Sequence, residues 1–134
     1  MNENLKELFL KRVELGLFNF PISYEVSNFI ACQFALESDF GESRIACENR
    51  NFCGMKLPSI RPTSATGMWS GHAVYNSFLH CVEDYFYWLV YSRFTQEELN
   101  DLDAFKAHLA KSGYCPASDY VERIDNLYKQ YYSH

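Results

Sequence analysis

The chain opens with a helical rhythm. Between residues 4 and 15, Leu5, Leu8, Phe9 and Val13 fall on one face among charged neighbours, which predicts an amphipathic helix ending near Gly16. Ser23 is placed to cap a second helix, with Glu25 in its first turn. Val26, Phe29, Ile30, Cys32, Phe34 and Leu36 run most of the way round that helix, so it belongs at the centre of the core. From about 55 to 76 the helical period is lost, broken by Pro58, Pro62, Gly67 and Gly71. There Met68-Trp69 and His72-Ala73-Val74-Tyr75 flank Ser70-Gly71, which predicts a β-hairpin. Ser77 then caps a helix with Phe78, Cys81, Val82, Tyr85, Phe86 and Leu89 as its buried stripe. Thr95-Gln96-Glu97-Glu98 reads as a capping box opening a helical stretch that stops at Gly113. Asp119 is expected to cap a last helix bearing Val121, Ile124, Tyr128 and Tyr131. The pattern describes a mainly α (α+β) fold with one small β-hairpin lobe. No repeat or linker divides it, so residues 1–134 are expected to form a single domain.

Composition narrows what such a domain does. At 134 residues and 48% hydrophobic content the chain can build a real core. A net charge of −5 without a basic stripe argues against a nucleic acid partner. No apolar run reaches membrane-spanning length, so no membrane insertion is expected. The opening residues, Met1 to Glu7, lack the basic-then-apolar plan of a signal peptide. The expectation is a protein that stays cytoplasmic until something releases it, or a secreted form lacking its leader. The five cysteines, at 32, 47, 53, 81 and 115, show no CxxC spacing, so free thiols and no metal site are expected. A Cys47–Cys53 disulfide is the alternative. Ten Tyr and eleven Phe suit a cleft for flat or carbohydrate ligands, although a Tyr-rich core and surface accounts for most of them.

One residue is chemically out of place. The apolar helix stops on Glu37, in the stretch Phe34-Ala35-Leu36-Glu37-Ser38-Asp39-Phe40-Gly41. A carboxylate in a last helical turn meets unpaired carbonyls and the negative end of the macrodipole. Phe34, Leu36 and Phe40 would desolvate it further, and both effects push its pKa upward. A carboxylic acid protonated near neutrality suits general acid catalysis at a glycosidic oxygen. An ordinary exposed Glu at a frayed helix end is the competing reading of the local sequence.

Leu36-Glu37-Ser38-x-Phe40-Gly41-x-Ser43, followed by Asn51-Phe52-Cys53-Gly54-Met55-Lys56, resembles the "LES-x-WG-x-S … NLFGIK" signature of bacterial glucosaminidases. These are the autolysin and flagellar-type peptidoglycan hydrolases of glycoside hydrolase family seventy-three, with a lysozyme-like fold. Tyr75-x-Ser77 and Cys81-Val82-x-Asp84-Tyr85 are similar to the family's "Y-x-S-x-x-x-S-[VI]-x-D-Y". Gly113-Tyr114, with Tyr120 six positions on, is similar to its "GYATDP-x-Y". The four blocks stand in the family's order from about residue 20 to the C-terminus.

The resemblance implies a catalytic role for Glu37 as general acid and for Tyr114 opposite it. It implies that Asn51 and Phe52 lie in the loop beneath the sugar, that Tyr120 shapes the same wall, and that Asp84 and Tyr85 are structural. Trp69, without a family counterpart, is placed in the hairpin where it could stack on a sugar ring, while Trp88 on an apolar helix reads as core. The implied function is an endo-β-N-acetylglucosaminidase acting on peptidoglycan glycan strands as a monomer without cofactor, in the manner of a phage or mobile-element lysin. Residues 49–82 contain no Asp or Glu, whereas many family members carry a second carboxylate in that lobe. Substrate assistance by the 2-acetamido group, or a carboxylate from Asp39 or Glu48, would have to fill the gap. Muramidase or lytic transglycosylase chemistry on the same fold, or a weakened wall-binding module, are the alternatives.

Overall fold

In the computed structural model, which describes residues 2–133, helix α2 (Tyr24–Ser38) is the element the others pack around. Its residues are buried without a break from Val26 to Ala35, as expected of a helix apolar nearly all round. The Ser23 hydroxyl caps it, accepting from the Val26 amide at 3.2 Å. Helix α1 (Glu3–Leu17) lies on one side of α2, and α5 (Leu102–Lys111) and α6 (Tyr120–Tyr132) lie on others. The resulting core joins Phe29, Phe34, Phe105, Leu109 and Ile124.

The first helix differs from its expected form. Its buried face is Phe9, Leu10, Val13 and Leu17, while Leu5 and Leu8 are exposed. Gly16 lies inside the helix rather than ending it. A Cβ there would meet Val82 at 3.2 Å and Phe78 at 3.4 Å, so this glycine permits close approach to α4 (Phe78–Tyr91). Ser77 caps α4 through the His80 amide. Of the expected stripe, Phe86 is only half-buried, stacked on Phe20 at 4.4 Å, and Asp84 is buried in addition.

Thr95 and Glu98 do form the reciprocal capping box, with Glu98 accepting from the Thr95 amide at 2.8 Å and Thr95 from the Glu98 amide at 3.1 Å. The helix they open is a single 3-10 turn, Glu98–Asn100. Asp101 returns to extended backbone and caps α5 separately. Asp119 occupies the N-cap position of α6, but its side chain makes no capping bond there.

After α2 comes short α3 (Arg44–Asn49), then the small lobe. Its only strands among the described residues are β1 (Gly67–Trp69) and β2 (His72–Val74), antiparallel with Met68 opposite Ala73. Ser70 and Gly71 both take positive φ, as a tight hairpin turn matched to strand twist requires. Side chains hold the rest. Buried Asp84 on α4 accepts from the Tyr75 hydroxyl at 2.5 Å, from Arg61 Nη1 at 2.7 Å and from Thr63 at 2.7 Å. The architecture is therefore mainly α with a two-stranded lobe, the lysozyme-like α+β class. Among the described residues no helix is long and apolar enough to cross a membrane. The five cysteines are free, Cys47 exposed and Cys53 buried.

Candidate active site

The end of α2 is fixed by its own sequence. The Ser38 hydroxyl donates back to the Phe34 carbonyl at 2.7 Å and accepts from the Gly41 amide at 2.9 Å. Asp39, Phe40 and Gly41 all take positive φ, so the chain turns away abruptly and leaves Glu37 on the last helical turn. Glu37 is half-buried.

Two elements distant in sequence close on its carboxyl group. From α6, the Tyr120 hydroxyl donates to Oε2 at 2.6 Å. From the loop after α3, Gly54 approaches Oε1 so closely that a Cβ would lie 2.8 Å away. Asn51 builds that loop: its Oδ1 accepts from the Gly54 amide at 2.9 Å, and its Nδ2 donates to the Met55 and Ala73 carbonyls at 2.8 and 3.0 Å. Tyr114 belongs to the same cluster. Its hydroxyl donates to the Cys53 carbonyl, its ring stacks on Tyr120 at 6.0 Å, and the edge of Trp88 packs at 4.7 Å. Half-buried Trp88 is thus a support for Tyr114.

Burial raises the pKa of Glu37 above the ordinary glutamate range. The Tyr120 hydrogen bond, the Arg123 guanidinium and the nearby His72 partly offset this. Burial raises the Tyr114 and Tyr120 hydroxyls as well, Glu37 adding to the effect at Tyr120, so both phenols keep their protons near neutrality. The site therefore holds a carboxyl group biased towards its protonated form, between a phenolic donor and a wall without a side chain.

Glu37, Tyr114 and Tyr120 come together as the sequence led us to expect, and Asn51 builds the adjoining loop, but the side chains of the other candidates lie elsewhere. Asn51 and Phe52 are buried, with exposures of 2% and 7%, and neither side chain is available to a sugar at Glu37. Phe52 packs against Phe78 at 5.1 Å and Phe9 at 6.2 Å, and borders a separate cavity of about 400 Å³ that Glu37 does not line. An aromatic ring with apolar partners on two helices is more stable inward than facing water. Trp69 is exposed on β1, its carbonyl held by Asn49 at 2.9 Å. Asp39 is an exposed helix cap, and Glu48 is engaged with Arg44 at 2.8 Å on α3. The basic groups that act on Glu37 are Arg123 and His72.

Gln33, Gly54, His72 and Arg123 were not anticipated as members of this cluster. Gln33 did carry a signal. It is a long polar side chain inside a mostly apolar helix, one turn before Glu37, and it is fully buried.

Residues 24–133 match the family described as Glucosaminidase, mannosyl-glycoprotein endo-beta-N-acetylglucosaminidase. No curated protein matches the chain at a significant level. Among solved structures, a chain of a type VI secretion system effector–immunity complex from Pseudomonas protegens is similar, with a TM-score of 0.61 at 19% identity. The similarity covers 93% of this chain and 94% of that one, and at this identity it speaks for the fold alone.

Proposed function

The chain belongs to the glucosaminidase family, a family of glycoside hydrolases, and from that premise we propose that it is an endo-β-N-acetylglucosaminidase of peptidoglycan. It cleaves the β-1,4 bond after N-acetylglucosamine, and its place of action is the cell wall. One observation carries this reading: the Glu37 carboxyl group, on the last turn of α2, is met by the Tyr120 hydroxyl at 2.6 Å and by the side-chain-free wall at Gly54, and burial biases it towards its protonated form.

Glu37 acts as general acid, passing its proton to the leaving glycosidic oxygen as the anomeric bond breaks. Tyr114 walls the position of the developing oxocarbenium ion. The carbonyl oxygen of the 2-acetamido group then attacks the anomeric carbon and forms a cyclised intermediate. Water opens it, giving its proton to the Glu37 carboxylate and restoring the acid. This route requires no second carboxylate, in keeping with the engagement of Glu48 by Arg44 and the exposed capping position of Asp39. The same lack of a partner acid favours one other reading, a lytic transglycosylase, in which an intramolecular hydroxyl replaces water. A zymogram on purified peptidoglycan tests the assignment of the acid. Clearing by the wild type, absent for a folded Glu37→Gln, is expected; equal clearing by both rules out Glu37.

A further inference from the structure

Glu37 terminates a buried chain of hydrogen bonds whose direction is determined at its far end. The Tyr85 hydroxyl, on α4, is fully buried, and its partner among the described residues is Gln33 Oε1 at 2.5 Å. Leaving a buried hydroxyl proton without an acceptor is costly, so Tyr85 donates. That orients the amide: Gln33 Oε1 faces Tyr85, and Nε2 faces the Tyr120 oxygen at 3.0 Å. An amide nitrogen only donates, so Tyr120 must accept from it and direct its own proton elsewhere. Glu37 Oε2, at 2.6 Å, receives it.

We propose that Gln33 is a positioning residue for Glu37: by making Tyr120 an obligatory donor, it reserves Oε2 as an acceptor and places the acid proton on Oε1, beside Gly54. A proton on Oε2 would point at the Tyr120 proton, which has no other acceptor among the described residues because Gln33 presents N–H. The oxygen beside the side-chain-free wall is then the one that delivers the proton. Gln33 and Glu37 share a face of α2 at i and i+4, which lets one tyrosine bridge both. The inference rests on the reading of Glu37 as the acid, since only then does the position of its proton matter. The other groups acting on or facing Glu37 are Arg123 from α6, His72 from β2 and Tyr114. The hydrogen bonds of the Gln33 side chain go to Tyr85 and Tyr120 and not to these groups.

The test is a carboxyl NMR titration of Glu37 in the full chain, comparing wild type, Gln33→Met, Tyr120→Phe and the double variant. Tyr120→Phe removes a hydrogen bond to the charged form and should raise the Glu37 pKa by about one unit. Gln33→Met should raise it in the same direction, and the double variant should rise no further than Tyr120→Phe alone. A Gln33→Met protein that melts earlier but titrates like the wild type would overturn the proposal, as would additive shifts in the double variant. If Gln33→Met does not fold, Tyr85→Phe removes only the hydroxyl that orients the amide; the same upward shift supports the proposal and an unchanged value overturns it. Hydrolysis of purified peptidoglycan by the wild type is assayed in parallel. Active wild type without the coupling refutes the role of Gln33, whereas coupling in an inactive wild type refutes the catalytic reading of Glu37.

Discussion

Replacing Gly54 with alanine exchanges a hydrogen for a methyl group, a net gain of one carbon and two hydrogens, directly beside Glu37. The backbone there has φ +77°, and the new Cβ would lie 2.8 Å from Glu37 Oε1 and 3.1 Å from its Cδ. Ordinary contact begins at 3.4 Å, so the carboxyl group or the loop must withdraw by about 0.6 Å (3.4 − 2.8). The left-handed backbone costs an L side chain roughly 1–2 kcal/mol, and a displaced rotamer roughly 1 kcal/mol more. A stability loss of about 2–3 kcal/mol follows. A misplacement of 1 Å can cost about a hundredfold in rate, so 0.6 Å predicts a loss of roughly tenfold or somewhat more. Gly71→Ala is the control: φ is again +77°, but nothing lies within 4 Å of its Cβ, so it should lose about 1–2 kcal/mol from backbone strain and keep its activity. Urea denaturation followed by circular dichroism gives the stabilities. Clearing of a purified peptidoglycan suspension, at a temperature where all three proteins are folded, gives the rates. If Gly54→Ala clears as fast as the wild type, or if both variants lose activity equally, the close approach of Gly54 to Glu37 has no catalytic importance.

Three further outcomes follow from the same geometry. Because burial raises the native pKa of Glu37, the stability this group contributes is fully present below its unfolded-state pKa and is lost as pH rises through the native value. Glu37→Gln should therefore raise the melting temperature at pH 7 but not at pH 3.5, as thermal scans at the two pH values would reveal; a gain at pH 3.5 as large as that at pH 7 would contradict the direction of the shift. Asp84→Ala leaves Arg61 buried and unpaired and should destabilise by about 3–5 kcal/mol in urea, with residues 61–66 losing amide-exchange protection. Asp39→Asn and Glu48→Gln should each keep most activity, while a thiazoline analogue of N-acetylglucosamine inhibits the enzyme; abolished turnover in either variant, with no inhibition, would assign the second step to a carboxylate.

What the sequence made legible was mostly local. Ser23, Ser77 and the Thr95–Glu98 pair each bond a backbone amide a few residues away, and these caps were readable from spacing alone. Gly16 misled because a glycine can serve close helix packing as well as helix termination, and the contact with Val82 that decides between them lies 66 positions away (82 − 16). Asp119 misled because its backbone is not extended, so its carboxylate does not reach the first amides. Glu37, Tyr114 and Tyr120 were found through their family motif. Asn51 and Phe52 shared that motif but serve the loop and the core, since a motif marks which residues matter and not which way they face. Gln33 joins Tyr120 across 87 residues and Tyr85 across 52, a network that no local pattern encodes.

The central claim concerns which bond is cut and by which acid, and the reducing ends of the products report on both. Purified peptidoglycan is digested, reduced with borohydride and analysed by mass spectrometry. The account predicts fragments ending in reduced N-acetylglucosamine from the wild type and, within the same time, about a hundredfold less or none from folded Glu37→Gln. Fragments ending in reduced N-acetylmuramic acid or its anhydro form, or undiminished product from Glu37→Gln, would contradict it.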